Sequence, residues 1–164
     1  MIVLGVDAGS LSTGYGVVEG TGSLHRAVEF GAIRNPSQRE HPERLALIYR
    51  KIREVIRRTR PEFLAMEEVF LAKNPQSALK LGQVRGAVMV AATEEGLPVA
   101  EYSALEIKAA VTGFGHAQKE QVQFMVKTIL GLAKVPQPHD AADALAVAIC
   151  ALHRSAWARK VGAP

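Results

Sequence analysis

Four carboxylates in this 164-residue chain stand where a purely structural account is strained. Asp7 closes the apolar run of "MIVLGVDAG", and Glu67 follows four apolar residues in "FLAMEEVF". Asp140 and Asp143 open the segment "HDAADALAVAIC". Burying a carboxylate is costly unless something pairs with it. A spacing of three puts Asp140 and Asp143 on one helix face about one turn apart. The rest of that face is Ala, Leu, Val and Ile, so it points at the protein. If Asp7 and Glu67 end neighbouring strands, four acidic groups converge and repel one another unless cations hold them. Hard divalent ions with oxygen ligands, such as Mg²⁺, suit that set. Two such ions about 4 Å apart activate water and stabilise the leaving oxygen of a phosphodiester. Each residue has a plainer reading too. Asp140 could be a helix N-cap, Asp143 a partner of the helix dipole, and Asp7 an Asx-turn residue before Gly9. Glu68 beside Glu67 leaves open which of the two faces inward, because strand neighbours point to opposite sides. The metal reading rests on the coincidence of all four.

The elements that must position them follow from pattern. "IVLGVDAG", "TGYGVVEG" and "LHRAVEFGAIR" read as three strands of an antiparallel meander. "NPSQREHP" is a loop, and a helix begins near Glu43 with Leu45, Ile48, Ile52, Val55 and Ile56 on one face. Its other face carries Arg44, Arg50, Lys51, Arg53, Arg57 and Arg58, which reads as solvated surface. "FLAMEEVF" is a strand covered on both faces. "AKNPQ" turns into a long helix over 77–95, ended by Gly96 and Pro98. "PVAEYS" is the last strand. Helical pieces "ALEIKAAV" and "KEQVQFMVKTILGL" flank a "TGFGHA" loop, and the final helix spans about 140–153. Helical crossovers between the later strands imply parallel pairing. The expected fold is α/β: a mixed five-stranded sheet, three antiparallel strands then parallel ones, with helices on both faces. In such sheets, sites form at the carboxyl ends of parallel strands.

Composition sets the outer bounds. With 48% hydrophobic and 22% charged residues the chain is globular, and its length supports one core. We therefore expect a single domain over 1–155 and a basic tail over 156–164. No apolar run approaches the roughly 18 residues of a membrane span, and no signal-peptide pattern opens the chain. The lone cysteine, Cys150, lies in "ALAVAICAL" and reads as a core residue, which suits a reducing cytoplasm. A formal charge of +4 permits a polyanionic partner without requiring one.

Several longer stretches resemble the RuvC family of bacterial Holliday-junction resolvases, within the ribonuclease H-like superfamily. They are "VLGVDAG", "EEVFLAKNPQSALKLGQVRG", "KAAVTGFGHAQKEQV" and "DAADALAVAI", spread from residue 2 to about 150. The resemblance implies a ribonuclease H-like fold and a homodimeric, Mg²⁺-dependent endonuclease, with Mn²⁺ able to substitute. Such an enzyme nicks two opposed strands of a four-way DNA junction symmetrically, in recombination and repair. The family's acidic ligands fall on Asp7, Glu67, Asp140 and Asp143, and Glu67 is chosen over Glu68 by its distance of three from Phe70. Two lysines used near the scissile phosphate fall on Lys108 and Lys119, on either side of the Gly113–Gly115 loop. Phe70 matches an aromatic set against unpaired bases at the junction centre; its plainer role is core packing. Lys73, with Asn74, Lys80 and Arg85, is a further candidate for phosphate contact. The branch-migration proteins RuvA and RuvB are implied as partners. Two departures stand out: Ala8 replaces the Pro that usually follows the first Asp, and Asp140 stands where some relatives have His, with His139 beside it as a surface residue.

Other readings compete. "DAGSLSTGYGVV" also resembles the phosphate-binding hairpin of actin-like ATPases, which need two such domains. A catalytically silent DNA-binding dimer would lack at least one acidic ligand. Another ribonuclease H-like nuclease would share the metal chemistry and differ in substrate. Ala78, Gly82 and Gly86 form a small-residue stripe on the helix over 77–95. That stripe either packs on its own sheet or meets the same helix of a second copy, and the resemblance favours the dimer.

Overall fold

Strand β1 (Ile2–Asp7) sits at the centre of the sheet. The computed structural model describes residues 1–35, 39–69 and 74–161. On one side β1 pairs antiparallel with β2 (Ser12–Thr21), which pairs antiparallel with β3 (Leu24–Arg34). On the other side β1 pairs in parallel with β4 (Phe63–Glu67), and β4 with β5 (Val99–Tyr102). The order is β3-β2-β1-β4-β5, the mixed five-stranded sheet expected from the hairpin and crossover pattern.

Strand alternation sorts the core into two layers. Leu4, Val6, Val17, Leu64 and Met66 face α1 (His41–Thr59) and α2 (Pro75–Glu94). Val3, Val18 and Ala65 face the other way, toward α3 (Ala104–Thr112), α4 (Lys119–Ile129) and α5 (His139–Val161). Helix α5 is the hub of that second layer. Every residue from 141 to 152 is buried except Asp143, so this stretch of the helix is enclosed on nearly all sides. Cys150 is fully buried there, and burial pushes its thiol up to about 12, which makes it inert.

Glycines set how closely α5 can lie on the sheet. Register pairs Gly5 with Gly16 and Asp7 with Gly14. A Cβ on Gly5 would stand 2.1 Å from the Ala144 carbonyl oxygen, and one on Gly14 would stand 2.0 Å from that of Asp140. At Gly16 it would meet Leu145 Cγ at 2.7 Å. No side chain fits at these places, so helix backbone rests on strand backbone.

Several helix ends depart from the sequence reading. Helix α1 begins at His41, two residues before Glu43, because Glu40 and Glu43 form a reciprocal cap and Pro42 is tolerated in a first turn. Helix α2 begins at Pro75, since Asn74 caps it through bonds from the Gln76 and Ser77 amides at 2.9 and 3.5 Å. Helix α5 runs on to Val161, past the expected end near His153. The basic face of α1 is mostly paired: Arg53 and Arg57 reach Glu95, Arg58 reaches Glu29, and Lys51 reaches Glu54.

Candidate active site

The parallel register of β1 and β4 pairs Val6 with Met66, so Asp7 and Glu67 emerge side by side one residue further on. Both point to the α5 layer, Asp7 in phase with Val3 and Gly5, Glu67 in phase with Phe63 and Ala65. This settles the doublet: Glu67 turns inward, while Glu68 is exposed and its amide bonds the Tyr102 carbonyl at 2.8 Å. The first turn of α5 brings Asp140 and Asp143 to the same place. Asp140 is not the helix cap; α5 already begins at His139, and the Asp140 Oδ2 accepts a 2.5 Å bond from the Ser12 hydroxyl. Asp143 Oδ2 accepts from Lys119 Nζ at 2.7 Å.

The electrostatics register this crowding. Burial, then the charges of Asp143, Asp140 and Glu67, push the Asp7 carboxyl up to about 7, against the pull of Lys119. Burial and then Asp143 also raise Glu67, while Lys108 and Arg85 oppose the rise. Lys119 is held above its ordinary value by its bond to Asp143. Two devices therefore make the cluster tolerable: a proton retained on Asp7 and an ammonium laid on Asp143. Among the described residues no three carboxylate, imidazole or thiol groups close on one ion-sized point. Asp140 leans to Ser12 and Asp143 to Lys119 instead.

Beside the acids lies a cavity of about 230 Å³, bordered by Glu67, Asp143, Lys108 and Lys119 over an apolar floor that includes Ile107 and Val147. The two lysines come from α3 and the first residue of α4. Gly113 ends α3 in the left-handed region (φ 81°), which turns the chain toward α4, and both lysines line the cavity. Phe70 and Lys73 lie outside the described residues. Asn74 is occupied as the α2 cap. Lys80 is exposed. Arg85 is engaged within the protein: its guanidinium bonds the Glu67 carbonyl oxygen and the Glu101 carboxylate, the latter at 3.0 Å. His139 is exposed, as expected, and its Nδ1 lies 3.0 Å from the amide nitrogen of the buried Gln123.

Sequence reasoning missed Ser12, Gln123 and the contacts of Arg85 with Glu67 and Glu101. Gln123 carried a signal, as a polar residue one step from Val122 on the inward side of α4. Ser12 and Arg85 carried none, because their partners lie 128 and 18 residues away.

A family model described as "Crossover junction endodeoxyribonuclease RuvC" matches residues 3–151. The chain belongs to the RuvC family. The RuvC of Pelotomaculum thermopropionicum is 52% identical over 161 residues, 98% of each chain. The Thermus thermophilus RuvC structure superposes with a TM-score of 0.88 at 40% identity, covering 96% of both chains. T. thermophilus RuvC in complex with a Holliday junction substrate superposes at 0.89 with 36% identity, again over 96% of both. The activity is thus that of a crossover junction endodeoxyribonuclease, in a family of metal-dependent nucleases. Full-length RuvC likeness replaces the actin-like and generic ribonuclease H readings. Among the described residues, no helix is long and apolar enough to cross a membrane.

Proposed function

We propose that this chain is a Mg²⁺-dependent resolvase that cuts two opposed strands of a four-way DNA junction by paired, symmetric nicks. The observation that supports this reading is the electrostatic crowding of Asp7 by Glu67, Asp140 and Asp143 beside the carboxyl ends of β1 and β4, with Lys119 already on Asp143. Four hard oxygen donors of one sign, one holding its proton up to about 7, are the donor set a pair of Mg²⁺ or Mn²⁺ ions would take. Such ions, when bound, supply charge neutralisation and water activation for phosphodiester hydrolysis.

The chain's own residues do the rest. Ser12 holds the Asp140 carboxylate in place through its hydroxyl. Lys108 and Lys119, on the cavity wall, offer positive charge to the scissile phosphate and to charge that develops on its oxygens. Phe70 stacks on unpaired bases at the junction centre, and Lys73 contacts a nearby phosphate.

Paired cutting of a two-fold substrate calls for a two-fold enzyme. Helix α2 buries Val84, Val88, Ala91 and Ala92 against its own sheet. The small-residue stripe lies elsewhere: added Cβ atoms on Gly82 and Gly86 would meet nothing within 4 Å. Leu79 and Val90 flank them at 70% and 50% exposure. An apolar, sterically open ridge of this kind fits the same ridge of a second copy. The resolvase acts in the cytoplasm, with the branch-migration proteins RuvA and RuvB as partners.

The deciding experiment incubates the protein with a mobile four-way junction or linear duplex, with and without Mg²⁺. We expect paired symmetric nicks in the junction alone and only with metal. Cleavage of duplex at the same rate would replace the junction reading with that of a general nuclease.

A further inference from the structure

Glu67 ends its strand, and the usual risk at a strand end is fraying. One residue on α2 counters it from the opposite layer. Arg85 is 12% exposed, and its guanidinium makes two contacts with different strands. One nitrogen donates to the Glu67 carbonyl oxygen, and the other lies 3.0 Å from Glu101 Oε1 on β5. Register pairs Glu101 with Met66, so the Glu101 side chain faces the α2 layer, away from the acidic cluster. The arginine thus binds β4 by its backbone and β5 by a side chain, at the last pair of that ladder, Glu67 with Tyr102. Among the described contacts, none links Arg85 directly to the Glu67 carboxyl group, yet its charge also lowers that group's affinity for a proton.

We propose that Arg85 is a positioning residue for the metal site: it clamps the Glu67 peptide so that the Glu67 carboxylate is presented to the cations beside Asp7. The clamp rests on the metal-dependent reading given above. It also has a geometric consequence. Arg85 lies between Gly82 and Gly86 in sequence, on the helix whose outward ridge is proposed to meet a second copy. The helix proposed to join two copies thus also holds one acidic residue of the site through a single side chain. A planar two-armed guanidinium suits that task, whereas an ammonium reaches only one of the two oxygens well.

Three variants test the proposal: Arg85→Ala, Arg85→Lys and Glu101→Gln. Partners that orient metal ligands from behind change affinity or activity by about 10- to 100-fold when removed. For Arg85→Ala we expect kcat on a four-way junction to fall at least tenfold and the Mg²⁺ concentration for half-maximal cutting to rise about tenfold. Junction affinity in EDTA and the dimer's sedimentation should stay within twofold of wild type. A readout without turnover is Mn²⁺ binding to the protein alone, counted from the free-ion electron paramagnetic resonance signal; it should weaken in parallel. Glu101→Gln, which leaves Arg85 in place, should give a smaller shift in the same direction and guards against an Arg85→Ala protein that does not fold. Arg85→Lys should fall between Ala and wild type.

Unchanged Mn²⁺ binding and Mg²⁺ midpoint in the folded Arg85 variants overturn the clamp. So does a loss of junction affinity or of the dimer as large as the loss of kcat, which would make Arg85 a general structural residue. If wild type itself binds no Mn²⁺ and cuts no junction, the metal-dependent reading fails first, and the two failures are thereby told apart.

Discussion

At the scale of single residues, Asp7 carries the site's electrostatic signature. Its carboxyl ionises near 3.8 in a model peptide and only near 7 in the fold. Between those values the native state holds a proton that the unfolded chain has lost. This group's contribution to stability is therefore greatest below about pH 3.8 and drains away as pH rises toward 7. Asp7→Asn removes the charge without removing the shape. In metal-free buffer the variant should out-melt wild type, by a wider margin at pH 8 than at pH 5. Equal margins in thermal melts at the two pH values would show that Asp7 is not strained. The same substitution should abolish Mg²⁺-dependent cleavage while junction binding survives. Lys119 plays a different part, since its ammonium already lies on Asp143 and lines the cavity wall. Lys119→Ala should lower kcat by roughly 100-fold, the scale of losing one charge-stabilising donor, with a smaller change in KM. Single-turnover rates at saturating junction would reveal it, and an unchanged rate would remove Lys119 from the chemistry.

At the scale of elements, the decisive contact is α5 on the β1–β2 hairpin. The helix supplies small residues and the strands supply glycines, so backbones meet and Asp140 arrives beside Asp7. Gly14→Ala tests that contact where it is tightest, because the new Cβ would fall 2.0 Å from the Asp140 carbonyl oxygen. Overfilling a packed site costs typically 1–3 kcal/mol, and a chain of this size loses about 2–4 °C of Tm per kcal/mol. We expect a fall of several degrees, together with a loss of cleavage larger than the lost fraction of folded protein. Circular dichroism melts and junction assays on one preparation would compare the two. A wild-type Tm and rate would mean that α5 adjusts freely over the hairpin.

At the scale of the whole molecule, two layers divide the labour. Helices α3, α4 and α5 build the acidic cleft on one face of the sheet. Helices α1 and α2 cover the other face, and α2 turns an open ridge outward. Gly82→Glu places a charge on that ridge without touching either core, since an added Cβ there meets nothing within 4 Å. We expect a monomer in sedimentation velocity and single nicks in place of paired ones. A persistent dimer would move the interface to another face.

Much was legible in the chain itself. Alternation and breakers marked the antiparallel meander and a continuous apolar run marked β4, because strand period and hairpin turns are local properties. The four carboxylates stood out for the same reason: a charge that interrupts an apolar run is visible without coordinates. Helix starts were read late at α1 and α2, since caps by Glu40 and by Asn74 before a proline depend on backbone bonds that pattern does not display. What only the tertiary structure decided were pairings between distant residues. Ser12 on Asp140, Lys119 on Asp143 and Arg85 behind Glu67 each join elements that sequence order keeps apart. The choice of Glu67 over Glu68, made from the family resemblance, gains its physical reason in the parallel register with β1, which exists only once the crossover helix has folded against the sheet. Residue type states which chemistry a side chain can do; packing at backbone distance determines which side chains do it together.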